Sequence, residues 1–169
     1  MSQPHSAQAV VDHGFSQVVG LRAWAPSVGV GSFLTIEFGN PKITPTGTQG
    51  EFHLWVYGAS WEIRERTRTI ASSSDEHAAM VAGARVLDGA PMRSFEFDRE
   101  RMTLNLRFDP YVELAVTPLG DLEMEEWFLY LDDGTVITAG PSETVTHESA
   151  SDFQWLPNGQ DDATRPDNV

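Results

Sequence analysis

The chain contains no cysteine and a single lysine, Lys42. The first absence excludes a disulfide framework, a thiol nucleophile, a thiolate zinc site and an iron–sulfur cluster. Basic charge is scarce overall: 11 Lys and Arg stand against 25 Asp and Glu, a formal net charge of −14. A chain of that sign repels a phosphate backbone, so nucleic acid is not an expected partner. No apolar run reaches the roughly 18 residues of a membrane span, and the first residues carry neither a basic nor an apolar leader region. A cytoplasmic protein with no membrane partner is expected. Metal-binding patterns are missing too. His5, His13, His53, His77 and His147 form no His-x-His, no helical i, i+4 pair and no HExxH. Gly29-Val30-Gly31-Ser32 leads into strand-like residues with no Walker lysine, which reads as a turn before Phe33. No GxSxG places a serine on a strained elbow. Neither metal nor cofactor is expected.

What is present suits one globular domain: 169 residues, 40% of them hydrophobic. Period-two alternation dominates. Met102, Leu104, Leu106 and Phe108 alternate with polar residues, and Leu34, Ile36 and Phe38 do the same, as in strands with one face on a core. Gly39-Asn40-Pro41 and Asp109-Pro110 punctuate the two runs. Ile43-Thr44-Pro45 followed by Trp55-Val56-Tyr57 recurs, 73 residues on, as Val116-Thr117-Pro118 followed by Phe128-Leu129-Tyr130. That order and spacing predict an α+β fold of two pseudo-repeated antiparallel β-meanders, about eight strands in all. Asp133-Gly134 marks a tight hairpin between Trp127–Leu131 and Val136–Ala139. Ser73 with Glu76 three residues on has capping-box spacing, and Gly89 can end the helix, so a helix is expected at about 74–88. Its slim stripe of Met80, Ala84 and Leu87, with Gly83 beside it, can lie close on a sheet. The domain is expected over 14–141, preceded by a flexible arm over 1–13. Residues 142–169 hold six acids against Arg165 and read as an acidic, disordered tail. One aromatic island, Phe153-Gln154-Trp155-Leu156-Pro157, interrupts that tail and could dock on the domain or on a partner.

Two surfaces could carry function. Between Asp109 and Asp133 lie eight carboxylates and no base. Within that stretch Asp121, Glu123 and Glu125 alternate with Leu122 and Met124, with Glu126 following, so an extended chain would put acids on one face. Such a face attracts a basic protein. The second surface is aromatic: Trp55, Tyr57 and Trp61 share parity along one strand, opposite Leu54 and Val56, unless Gly58-Ala59-Ser60 bends the chain and shifts Trp61. Such rings either sit in a central strand or anchor an interface. Glu37, His53 and Trp55 are the most plausible lining of a pocket between the meanders, the alternative site. On His53 alone, a hydrogen-bonded structural imidazole is favoured over a catalytic base.

Gly29–Phe38 and Gly50–Tyr57 read GVGSFLTIEFG and GEFHLWVY. This text resembles a family of small, uncharacterised bacterial proteins with a GSFLTxEFG and HLWxY signature, over about residues 20–139. The resemblance brings no catalytic residue with it. More loosely, size, charge and class are similar to the acidic immunity proteins of bacterial toxin systems. The expectation is therefore a non-enzymatic protein-binding module, of which an immunity-type inhibitor is one form, presenting acids to a basic partner. The alternative is a small-ligand binder or hydrolase-like enzyme using a pocket near His53.

Overall fold

A computed structural model of the chain describes residues 6–45, 47–120 and 123–152. Two antiparallel sheets face each other across one core. The first six strands are β1 (Ala23–Val28), β2 (Leu34–Thr44), β3 (Gly47–Val56), β4 (Ala59–Glu65), β5 (Arg68–Ser72) and β6 (Met92–Asp98). The other five are β7 (Thr103–Phe108), β8 (Val112–Pro118), β9 (Trp127–Tyr130), β10 (Thr135–Ala139) and β11 (Val145–Ser149). One sheet has the order β1-β2-β3-β9-β10-β11 and the other β5-β4-β8-β7-β6. The chain changes sheets between β3 and β4 and again between β8 and β9. At that corner the Tyr57 amide donates to the Glu126 carbonyl at 2.9 Å, and the Gly58 amide to that of Glu125 at 3.0 Å. A Cβ at Gly58 would meet the Glu125 carbonyl, so glycine permits the close passage.

The alternating runs face the core as their period requires. Leu34, Ile36 and Phe38 of β2 and Leu104, Leu106 and Phe108 of β7 are buried in one cluster, and the Phe38 and Phe108 rings stack across the sheets at 6.3 Å. The architecture is thus α+β with antiparallel sheets, but with eleven strands among the described residues instead of about eight. Nor do the two similar segments form equivalent meanders. In the first, β2 and β3 are neighbours in the six-stranded sheet; in the second, β7 lies in the five-stranded sheet while β9 lies in the six-stranded one. Alternation followed by Thr-Pro is chemistry that any antiparallel strand with a turn can share.

Both helices close the gap between the sheets. Helix α1 (Ala7–Val18) packs against β6, β10 and β11, burying Val10, Val11, Gly14, Phe15 and Val18. Its first seven residues, 7–13, fall in the region expected as a flexible arm over 1–13. Its apolar residues fall at i, i+4 and i+8, a period that a boundary at His13 cuts in two. Ser6 caps it by accepting from the Ala9 amide at 3.2 Å. Gly14 lets the helix approach the Ile137 and Leu129 side chains. Helix α2 (His77–Ala84), continued by a 3-10 turn at Arg85–Leu87, lies on β1 and β5, with Gly83 against Ala71. It starts later than the capping-box spacing implies because the Ser73 hydroxyl accepts from the Trp61 amide at 3.1 Å instead.

The β9–β10 hairpin forms, with residues 131–134 between the strands. The Gly134 amide donates to the Leu131 carbonyl at 3.2 Å, and Gly134 alone takes positive φ, +82°. Strand β11 lies inside the region read as a disordered tail, held by five register pairs from Thr135↔Ser149 to Ala139↔Val145. Among the described residues, no helix is long and apolar enough to cross a membrane.

Candidate functional site

The two sheets differ on their outer faces. That of the five-stranded sheet is polar and charge-paired: Arg64 with Glu62 at 2.9 Å, Arg107 with Glu113 at 3.5 Å and with Glu96 at 3.8 Å. Such a face is ordinary for an antiparallel sheet with one side in water. The six-stranded sheet carries instead a second hydrophobic cluster, Trp55, Phe128 and Val136, with Phe33, Tyr57, Tyr130 and Ala150 packed against it. The register explains the grouping. Trp55 pairs with Phe128, and Val136 with Tyr130, so these side chains share the face opposite the core. No residue of α1 or α2 belongs to this cluster.

Beside the aromatics sits a buried polar pair. Glu37 of β2 is opposite His53 of β3, and the carboxylate receives His53 Nδ1 at 2.5 Å. Glu37 is 7% exposed and His53 6%. A neighbouring bulge supplies the carboxylate's second partner. Between Phe38↔Phe52 and Pro41↔Gly50 the register slips, and the freed Gly50 amide donates to Glu37 Oε2 at 2.8 Å. Both carboxylate oxygens are thereby satisfied, as burial demands. A carboxylate only accepts, so Nδ1 carries the proton of this contact. The ring's Nε2 is buried without a hydrogen-bond partner, as is the Tyr130 hydroxyl, and the two rings lie 5.6 Å apart. Burial pushes the Tyr130 hydroxyl well above its ordinary pKa. Glu37, His53 and Trp55, singled out from sequence as a pocket lining, therefore do lie together, but on the outer face of one sheet and not between two meanders. Tyr130 was missed; its place opposite His53 depends on the β3–β9 pairing, which no local pattern reveals.

Among the described residues the acidic run does not form one face. Asp121 lies outside the described residues. Residues 123–126 form no strand: Glu123 is exposed, Glu125 half-buried, and Glu126 only 7% exposed. Burial first, and the nearby Glu143 second, raise the Glu126 carboxyl to about 7. The flanking acids are paired across the fold: Asp109 with Arg93 at 3.4 Å, Glu113 with Arg107, and Asp132 with Lys42. Trp61 is not part of the aromatic face. The crossing at Gly58 carries it into the main core, where it is 2% exposed and its indole donates to the Ser32 carbonyl at 2.7 Å. Trp55 is 4% exposed and Tyr57 half-buried. Phe153, Trp155 and Leu156 lie outside the described residues.

Among the described residues no group of three His, Asp or Glu side chains could hold a metal ion. No protein-family model matches the chain, and no curated protein or solved structure matches it either.

Proposed function

We propose that the protein is a non-enzymatic binding module whose recognition surface is the outer face of the six-stranded sheet, with a basic protein as partner. The observation that carries this reading is the second hydrophobic cluster around Trp55 and Phe128. A two-sheet sandwich needs one apolar face per sheet, and this sheet has two. Trp55 and Phe128 are themselves buried, and the half-buried Phe33, Tyr57 and Tyr130 packed around them, with a polar rim, have the composition of a protein interface. Acids supply that rim. Glu125 lies close enough to Tyr57 to raise its hydroxyl pKa, second to burial, and the exposed Glu148 stands opposite Val136 on the same face. With a net charge of −14, this favours a basic partner and fast encounter at low salt. An immunity-type inhibitor of a basic toxin domain is one form such a module takes.

The test is affinity capture from the native host by the full chain, compared with Phe33→Arg and Tyr57→Arg beside the cluster and Tyr111→Arg in the exposed β7–β8 turn of the other sheet. A basic protein retained by the wild type and Tyr111→Arg but lost with both of the other variants is expected. Equal capture by all four chains would refute the assignment.

A second reading, a small-ligand binder or hydrolase-like enzyme, is favoured by one observation, the pair of buried polar atoms without partners at His53 Nε2 and the Tyr130 hydroxyl. It calls for a ligand whose polar groups meet both His53 Nε2 and the Tyr130 hydroxyl. Thermal-shift screening with neutral amides and alcohols tests it; stabilisation that His53→Phe abolishes would support it, and none at millimolar ligand would dismiss it.

A further inference from the structure

We infer that the outer face of the six-stranded sheet is the docking site of the chain's own segment Phe153-Gln154-Trp155-Leu156, which lies over Trp55, Phe128 and Val136 as an internal cover. Three observations point to this occupant. First, these three residues are buried, although they sit on a face to which neither helix contributes. Second, the chain is delivered to that face. After β11 a 3-10 turn, Ala150–Asp152, returns to β10; the Ala150 amide donates to the Gly134 carbonyl at 2.9 Å and Ala150 packs against the cluster itself. The island begins at the next residue. Strands lie about 4.8 Å apart, so passing from β10 over β9 to β3 covers about 10 Å. Four extended residues span roughly 13 Å. Third, the chemistry matches. Beyond Asp152 the chain has 17 residues, of which Phe153 and Trp155 are the only aromatics, and Asp161, Asp162 and Asp167 follow with nothing comparable to bury.

The consequence for activity rests on the binding reading above: a partner for the same face competes with the segment.

The contact is tested by NMR on the full chain. Nuclear Overhauser effects between the Trp155 indole protons and the Val136 methyls are expected, and Trp155→Ala should remove them and shift those methyls. Because the chain has no cysteine, a nitroxide at Gly159→Cys gives an independent readout, broadening Val136 more than Val112 on the other sheet. Absence of the Overhauser contact, with even broadening over both sheets, overturns the inference. A contact seen only between chains in a mixture of labelled and unlabelled protein overturns it in favour of a second copy. Host capture with Trp155→Ala separates the two ideas. Docking without any gain in captured partner would retain the cover and reject the binding role, whereas no docking leaves the capture test of the Phe33 and Tyr57 variants to decide that role alone.

Discussion

Glu126→Gln should stabilise the protein at neutral and alkaline pH and do little in acid. The Glu126 backbone is fixed at the sheet-changing corner, its amide donating to the Ala139 carbonyl at 2.8 Å, so the side chain cannot swing clear without breaking that corner. Its Oε2 is buried with no hydrogen-bond partner. The carboxyl therefore holds its proton to about 7 in the folded chain, against 4.5 ordinarily. Below the lower value both states are protonated and the group is neutral in its effect. Between the two, the folded state binds a proton that the unfolded state has released, so stability falls as pH rises; above the upper value the whole penalty is present. At about 1.4 kcal/mol per tenfold change in proton affinity, the limit is about 3 kcal/mol. Partial access of water reduces the expected gain to about 1–2 kcal/mol. Glutamine keeps the shape and removes the charge. Urea titrations of both chains from about pH 4 to about pH 8 measure the difference, which should grow from near zero to a plateau. Glu143→Gln should lower the Glu126 pKa and shrink the effect. A difference that is constant with pH, or greatest in acid, would refute the reasoning.

His53→Phe suits its aromatic surroundings but strands the buried Glu37 carboxylate, and should cost about 3 kcal/mol in denaturant titration, with Glu37→Leu added to it recovering part of the loss. Tyr130→Phe removes a buried hydroxyl that has no hydrogen-bond partner, so thermal unfolding should show a change between zero and about 1 kcal/mol in the stabilising direction. Gly83→Val forces α2 away from Ala71 and should destabilise by roughly 2 kcal/mol, while Val81→Ala, on a partly buried residue of the same helix, should cost less.

Local pattern carried much of the fold. Alternation placed Leu34, Ile36 and Phe38, and Leu104, Leu106 and Phe108, on the core, and the Met80–Ala84–Leu87 stripe put α2 on a sheet, because each depends only on the period of its own element. What failed was whatever depends on a distant partner. Ser73 has the spacing of a cap, yet its oxygen goes to Trp61 twelve residues earlier. Trp61 has the parity of Trp55, but the break at Gly58 moves it to the other sheet. The acids between Asp109 and Asp133 are adjacent in sequence, and their arginine and lysine partners come from β6, β7 and β2. Glu37 and His53 could be named as candidates, but their pairing follows from the β2–β3 register, and the second partner of the carboxylate from a bulge beside it, neither of which a reading of one strand alone reveals.

The neighbouring crossings at Tyr57-Gly58 and Glu125-Glu126 bear on how the molecule comes to exist at all. Strand β3 finds β9, and β4 finds β8, only after loops of more than forty residues have closed. Neither the portion before α2 nor the portion after it carries a complete sheet, so neither can fold alone. Assembly must await most of the polypeptide, and refolding should be slow for a chain of this size.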